Sequence, residues 1–231
     1  GFSNPGLEET LTPDGLVNPE IGQEKGVNYE AGGQWLAVNG RLRVSGSLYR
    51  MEIRDLLVAE RVGEDQFIGR NAGKTRHRGL ELSLQYAIPL RIGVSISPFL
   101  SYTLNNHTFR EFVDGDSDYS GNELTGVPGH RVYSGILVDS DLGWYLNSNY
   151  QYVDAIPLTD SNTVYSDAYH LFNMQAGYRT RLVAQLSLGV EFGVNNLFDT
   201  RYASSVLINA TGFGGSEPRY FYPGNGRNYY A

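Results

Sequence analysis

From residue 91 to 105 an apolar side chain returns at every second position: Ile92, Val94, Ile96, Pro98, Leu100, Tyr102 and Leu104. Arg91, Gly93, Ser95, Ser97, Ser101, Thr103 and Asn105 fill the alternate places, with Phe99 the exception. A period of two places successive side chains on opposite faces of an extended chain, so this stretch predicts a two-faced β-strand. The same alternation runs through 182–195, where Leu182, Ala184, Leu186, Leu188, Val190, Phe192 and Val194 oppose Gln185, Ser187, Gly189, Glu191, Gly193 and Asn195. Stretches 79–88, 142–153 and 169–179 behave likewise, and 130–139 does so weakly. Between 41 and 54 the phase slips near Leu48-Tyr49, which predicts a β-bulge. No amphipathic helix is evident, so the fold class expected is all-β.

The connections alternate in length. Tight turns are expected at Asn39-Gly40, Ile88-Pro89-Leu90, Ser140-Asp141 and Thr180-Arg181. Long connections are expected at about 55–70, 106–129, 155–167 and 196–225. In an up-and-down antiparallel sheet of nine strands, that parity gathers every tight turn on one rim and every long loop on the other. Transmembrane β-barrels show this asymmetry, with strands apolar toward lipid and polar toward the lumen. A lipocalin-like soluble barrel alternates as well, with its apolar face inward. Alternation therefore leaves open a soluble barrel or sandwich that binds a small ligand or glycan, and a passive porin.

Composition favours the membrane. Only Lys25 and Lys74 are lysines among 18 basic residues, and the polar faces are made of Ser, Asn, Gln, Thr and Gly. Soluble sheets ordinarily guard their edges and wet faces with lysine and other charges. Tyr102, Tyr150, Tyr152, Tyr169, Tyr178, Tyr229 and Tyr230 gather toward strand ends, as an aromatic girdle would. The absence of cysteine excludes a disulfide framework and a CxxC site. A net charge of −7 argues against a nucleic-acid partner. The opening Gly1-Phe2-Ser3-Asn4-Pro5 is loop-like, without the charged and apolar regions of a signal peptide, so the chain is expected to be cut from something longer or processed.

Ordered motifs then identify a family. "VNNLFDTRYAS" (194–204) resembles the N-x-x-N-L-F-D-x-x-Y signature that precedes the last strand of TonB-dependent outer-membrane receptors. "GFSNPGLEE" through "NYEAGGQW", "NAGKTRHRGLELSL" (71–84), "ELTGVPGHRVYSG" (123–135) and "GRNYYA" (226–231) are similar to further segments of that family, in the same order. The resemblance covers nearly the whole chain. It implies that residues 1–231 form the C-terminal part of a transmembrane antiparallel up-and-down β-barrel, about nine strands of the 22 with which the family closes. The N-terminal plug domain and earlier strands would be missing. It also implies an outer-membrane location, no catalysis, and uptake of a metal chelate such as a ferric siderophore. TonB would act through the missing plug, and outer-membrane lipid would surround the wall.

Candidate chemistry is sparse. No G-x-S-x-G elbow or other nucleophile motif is present, and no cofactor is expected. Asp114, Asp116 and Asp118 have the spacing of a calcium loop, but Tyr119 stands where the glycine belongs and Thr125 where the bidentate glutamate belongs. His77, His107, His130 and His170 lack metal-ligand spacing, so no metal site is expected. A ferric chelate captured on outer loops would use arginine for its charge and aromatic rings for stacking. The candidates are Arg110, Tyr119, Tyr165, Arg201, Tyr202, Phe213, Arg219 and Tyr220. Asn195, Asn196, Leu197, Phe198, Asp199 and Tyr202 form the structural motif, because Asn and Asp bond their own backbone and tolerate turn conformations.

Overall fold

The structure, a computed structural model, describes residues 1–231 except 7–9, 20, 64–65, 72, 91–92, 185 and 213; the side chains of 58–63 and 66–67 are likewise outside the description. Among the described residues eleven strands make one antiparallel sheet, the short Phe2–Ser3 and Ile88–Leu90 and nine that form its body: β1 Glu24–Ala37, β2 Leu42–Arg54, β3 Lys74–Tyr86, β4 Val94–Glu111, β5 His130–Ser140, β6 Trp144–Val153, β7 Tyr169–Val183, β8 Leu186–Asn195 and β9 Asn228–Tyr230. Each pairs with its neighbours in sequence, so the topology is up-and-down. Phe2–Ser3 adds to the outer edge of β1. No helix among the described residues is long and apolar enough to cross a membrane, which has no bearing on strands.

The expected parity holds. The connections at 38–41 and 141–143 are tight and Val183 pairs with Leu186 where β7 passes to β8, while those from β2 to β3, β4 to β5, β6 to β7 and β8 to β9 are long. Two tight turns sit later than expected. Ile88–Leu90 continues the register of β3, with Pro89 opposite Ser95 and Leu90 opposite Val94, so the strand is still paired where a turn was expected. Proline is tolerated there because β2 has already ended, at Leu42 opposite Tyr86, and the ladder loses no donor on that side. Likewise β7 runs on to Val183 past Thr180-Arg181, and the register shifts between Arg181 and Val183, where apolar Val183 follows apolar Leu182 and interrupts the period of two.

Register sorts the side chains into two faces. One row reads Ala31, Leu48, Leu80, Leu104 and His130 across β1 to β5. Lower rows on that face hold Val44, Leu84 and Leu100, then Ile136 with Pro98, and Val138 with Ile96 and Leu146. Farther along lie Tyr178 with Val190 and Thr180 with Leu188. Leu48, Leu84, Leu100, Ile136, Leu188 and Val190 among these are exposed, Val190 by 63%, while Val44, Ile96, Val138 and Leu146 are half-covered by their strand neighbours. Leu186, Leu188 and Ile96 share this face and Ser97 lies on the opposite one; Gln185 is outside the described residues. From Val94 to Leu104 the strand runs about 33 Å at about 3.3 Å per residue, or about 25 Å in height at a barrel's tilt of about 40°. That matches the apolar band of a bilayer-spanning barrel.

Aromatic rings bound the belt. Trp35, Tyr86, Trp144 and Tyr178 lie near the tight-turn rim, and Tyr29, Tyr102, Tyr150 and Tyr152 near the other. Tyr169 and Tyr230, expected in the girdle, belong to the polar face by register. Tyr230 instead covers Gly193, where an added Cβ would overlap its ring. The same relation joins Tyr49 to Gly79, Phe99 to Gly135 and Tyr145 to Gly177, each a directly opposed cross-strand pair on the polar face. Phe99 therefore breaks the alternation because its ring fills the space above a glycine.

The bulge expected at Leu48-Tyr49 is absent: β2 keeps unbroken register with both neighbours from Leu42 to Arg54. The phase slip is a change of surroundings instead. Past Leu48 the strand rises beyond the apolar belt, so polar Arg50, Glu52 and Arg54 take over the same face. Small buried clusters lie at the long-loop rim, where Phe109 stacks on Phe112 at 4.6 Å and Leu158 is 1% exposed.

Candidate functional site

The long loops do not hang free. Asp160 accepts from Thr125 Oγ1 and, at 2.8 Å, from Asn209 Nδ2; its own N–H donates to Asn209 Oδ1 and its carbonyl accepts from Asn122 Nδ2. Asn162 exchanges two hydrogen bonds with the backbone of Glu123, and Asn209 N–H donates to the Leu158 carbonyl. Three of the four long loops, 112–129, 154–168 and 196–227, are thus laced into one cap. Asn162 and Asn209 adopt positive φ, which asparagine tolerates better than other side-chain-bearing residues.

Beneath this cap, on the polar side of the sheet, is a hollow of about 190 Å³ lined by Asn105, His107, Glu123, Asp154 and Tyr165 among others. Tyr165 donates to Glu123 Oε2 at 2.9 Å, and burial together with that carboxylate raises its pKa. His107 lies three residues beyond Leu104, outside the apolar belt. Its Nε2 lies 3.0 Å from the Tyr49 hydroxyl, while its buried Nδ1 has no partner among the described residues. His77 sits directly opposite, with ring centroids 4.6 Å apart. Burial and then the neighbouring His77 pull His107 down to about 4, so it is neutral near pH 7. The site thus offers two carboxylates, a neutral imidazole and a phenol, a set suited to hydrogen bonding a polar ligand.

Of the described residues expected to bind a ligand, Tyr165 alone lines the hollow. Arg110 sits on β4 itself, at the register shift opposite Lys74 and Thr75, not on a loop. Tyr119 packs near Phe112, with centroids 5.9 Å apart. Tyr202 packs on Tyr169 and covers Gly224, and its carbonyl accepts from Gly224 N–H. Arg201 and Arg219 are exposed, Tyr220 is half-buried, and Phe213 lies outside the described residues. His107 and His77, which sequence spacing does not relate, are thirty residues apart, and only strand register brings them together.

The Asn-rich motif closes β8. Asn196, 3% exposed and at φ +51°, donates to the Thr200 and Asn225 carbonyls and accepts from Thr200 N–H, while its own N–H donates to Asn173 Oδ1. Asp199, also at positive φ, accepts from Arg227 N–H. Asn195 donates to Asn228 Oδ1 in the opposite strand. Leu197 N–H bonds the Phe172 carbonyl, and Phe198 packs on Phe172. All of these contacts are architectural, tying β7, β8 and the approach to β9.

Tight turns on one rim, a laced cap on the other and one uncovered apolar face define the wall of a membrane-type β-barrel. The comparison with known families agrees: the TonB dependent receptor-like, beta-barrel family matches residues 1–197, and the chain belongs to it. The ferrichrome outer membrane transporter/phage receptor of Escherichia coli (strain K12) is 26% identical over 218 residues, covering 90% of this chain and 28% of the relative. The ferric-pyoverdine M114 receptor PbuA of Pseudomonas sp. (strain M114) is 28% identical over 231 residues, covering 95% of the chain and 26% of the relative. Among solved structures, the siderophore receptor PiuA from Acinetobacter baumannii superposes with a TM-score of 0.69 at 19% identity, covering 93% of this chain and 29% of that one. The chain spans about a quarter of the length of the curated relatives it matches.

Proposed function

We propose that this chain supplies barrel wall and outer loops to an outer-membrane receptor that imports a metal chelate, a ferric siderophore above all. The apolar face meets lipid hydrocarbon, and the polar face looks into the lumen of a barrel completed by further strands. A plug domain would occupy that lumen and pass energy from TonB. The observation that carries this reading is the belt itself: rows of uncovered Val, Leu, Ile and Phe, of bilayer height and edged by aromatic rings, in a chain of this family. Two relatives, a ferrichrome transporter and a ferric-pyoverdine receptor, support iron as the cargo.

In this reading the wall performs no catalysis. The laced cap holds Tyr165, Glu123 and Asp154 in fixed positions, so a chelate that binds there orders few side chains on arrival and loses little affinity to entropy. Exposed Arg201 and Arg219 lie on the fourth long loop, where they would draw an anionic chelate. The test is uptake of radioactive iron by cells that carry the full-length protein as their only receptor. Saturable uptake of a ferric siderophore that disappears when TonB is deleted is expected. Uptake that never saturates and ignores TonB would replace the receptor with a passive porin.

A further inference from the structure

On the outward face of β1 to β4, the first rows beyond the apolar belt are basic. Arg50 and Arg78 lie in the row next to Leu48 and Leu80, flanked by Tyr29 and Asn106. Glu52 and Arg76 form the next row, and Lys25, Arg54 and Lys74 the one after. Six of the chain's 18 basic residues are therefore gathered in three rows, which is not a generic wet surface. The equivalent rim of β5 to β7 carries His130, Tyr150, Tyr152 and His170 on this face, and no lysine or arginine.

Glu52 organises the patch. Its Oε1 accepts from Arg50 Nε and Nη2, at 2.9 and 2.7 Å, and from Arg76 Nε at 2.6 Å. One carboxylate thereby fixes two guanidiniums while leaving both terminal nitrogens of Arg76 unused by it. Lys25 and Lys74 are paired with Asp55 and Glu111, whereas Arg78 bonds only the neutral Asn106 amide and Arg54 has no ion pair among the described residues. Among the described residues the six cations thus face three carboxylates, Glu52, Asp55 and Glu111, which leaves an excess of three positive charges. Tyr29, Arg50, Glu52, Arg54 and Arg76 line one shallow depression in it.

Height selects the partner. Two residues beyond Leu48 is about 6.6 Å of strand, or about 5 Å of rise at a tilt of about 40°. The headgroup layer on each side of a bilayer is about 5–7 Å thick. The first arginine row thus stands at headgroup level, where phosphate is the anion present, and guanidinium binds phosphate through paired N–H donors. We infer that this face of β1 to β4 is a docking surface for the phosphate-bearing headgroups of the surrounding membrane lipid, with acyl chains lying along Leu48, Leu80 and Leu104.

The inference rests on the membrane reading proposed above, and one experiment separates their failures. The full-length protein is reconstituted into phosphatidylcholine bilayers, and the relative association of spin-labelled phosphatidic acid and spin-labelled phosphatidylcholine is measured by electron paramagnetic resonance. A preference for phosphatidic acid that weakens with salt is expected. Arg78→Gln should reduce it about fivefold, from about 1 kcal/mol per cation near an anionic surface. Arg179→Gln, on the polar face at the opposite rim, should leave it unchanged. Resistance to unfolding in cold detergent verifies that each variant is folded. A protein that inserts but shows no preference, or a preference indifferent to Arg78→Gln, overturns the docking surface alone. A protein that will not insert overturns it together with the membrane reading.

Discussion

Tyr145 and Gly177 face each other across β6 and β7, and the tyrosine ring occupies the space that a side chain on the glycine would need. The Tyr145 hydroxyl donates to Glu191 Oε2 at 2.7 Å, and Arg179 lies over the ring at 4.6 Å from its centroid. One glycine therefore lets an aromatic ring lie along the polar face and reach a carboxylate two strands away. Gly177→Val should displace the ring, break the bond to Glu191 and cost about 1–3 kcal/mol through overpacking. Urea unfolding in vesicles checks this, and an unchanged midpoint would show that the ring has room to move.

The two faces give a paired prediction one residue apart. Leu100 lies on the uncovered face midway between Val94 and Leu104, and Ser101 on the polar face. In the membrane reading Leu100→Arg should cost about 2–4 kcal/mol, whereas Ser101→Arg should leave assembly intact. Leu186 is a poorer probe, because it begins β8 beside the tight turn, where an arginine costs only about 0–1 kcal/mol. Folding yield in lipid vesicles measures all three. Equal losses at 100 and 101 would mean that neither face meets lipid.

The strands were readable because a surface that meets hydrocarbon on one side forces a strict period of two, which residues such as Ile96, Leu100 and Val190 carry without help from neighbours. Where the reading failed, the cause was information that belongs to another strand. The phase slip at Tyr49 reads as a bulge until register shows Gly79 opposite it. Phe99 reads as an exception until Gly135 is placed beneath it. The pairing of His77 with His107 depends on register that periodicity cannot set. In the same way, Tyr202 has the composition of a ligand contact but packs over Gly224, and the Asp160–Asn209 lacing joins loops that share no local signal.

That lacing predicts a separable defect. Asp160→Ala removes the acceptor for Thr125 and Asn209 and should lower the local opening free energy of the cap by about 2–3 kcal/mol: two bonds to a charged group would be worth about 3–6 kcal/mol if fully buried, and the half-buried carboxylate is partly screened by water. Hydrogen exchange should accelerate in 122–126 and 158–162 and stay slow in β5 to β8. Faster exchange throughout the sheet would mean that the cap and wall unfold together.

Asn196→Ala tests the knot at the end of β8. The substitution strands the half-buried Thr200 N–H and two carbonyls and places alanine at a positive φ, so a loss of about 2–4 kcal/mol is expected. Thermal unfolding of the detergent-solubilised protein measures it. A near-neutral result would make the motif a ligand contact rather than a clasp, and chelate affinity would then be the property that falls.

His107 supplies a pH dependence whose direction follows from its surroundings. Folded, it takes up a proton only near pH 4, because burial and His77 oppose the charge; in an unfolded chain histidine does so near about 6.5. Between those values the unfolded chain holds the extra proton, so stability is fully present above about 6.5 and drains as pH falls toward about 4. The ring is partly exposed, and solvent screening brings the expected loss to about 1–2 kcal/mol. Carboxylates titrate in the lower part of that window, so the comparison must be internal. The difference in unfolding free energy between pH 7 and pH 5 should shrink in His107→Gln, while an NMR titration of the His107 ring in the parent protein should place its midpoint near 4. A midpoint near 6.5 would mean that water reaches the ring freely, and the hollow would then be open to protons before any chelate arrives.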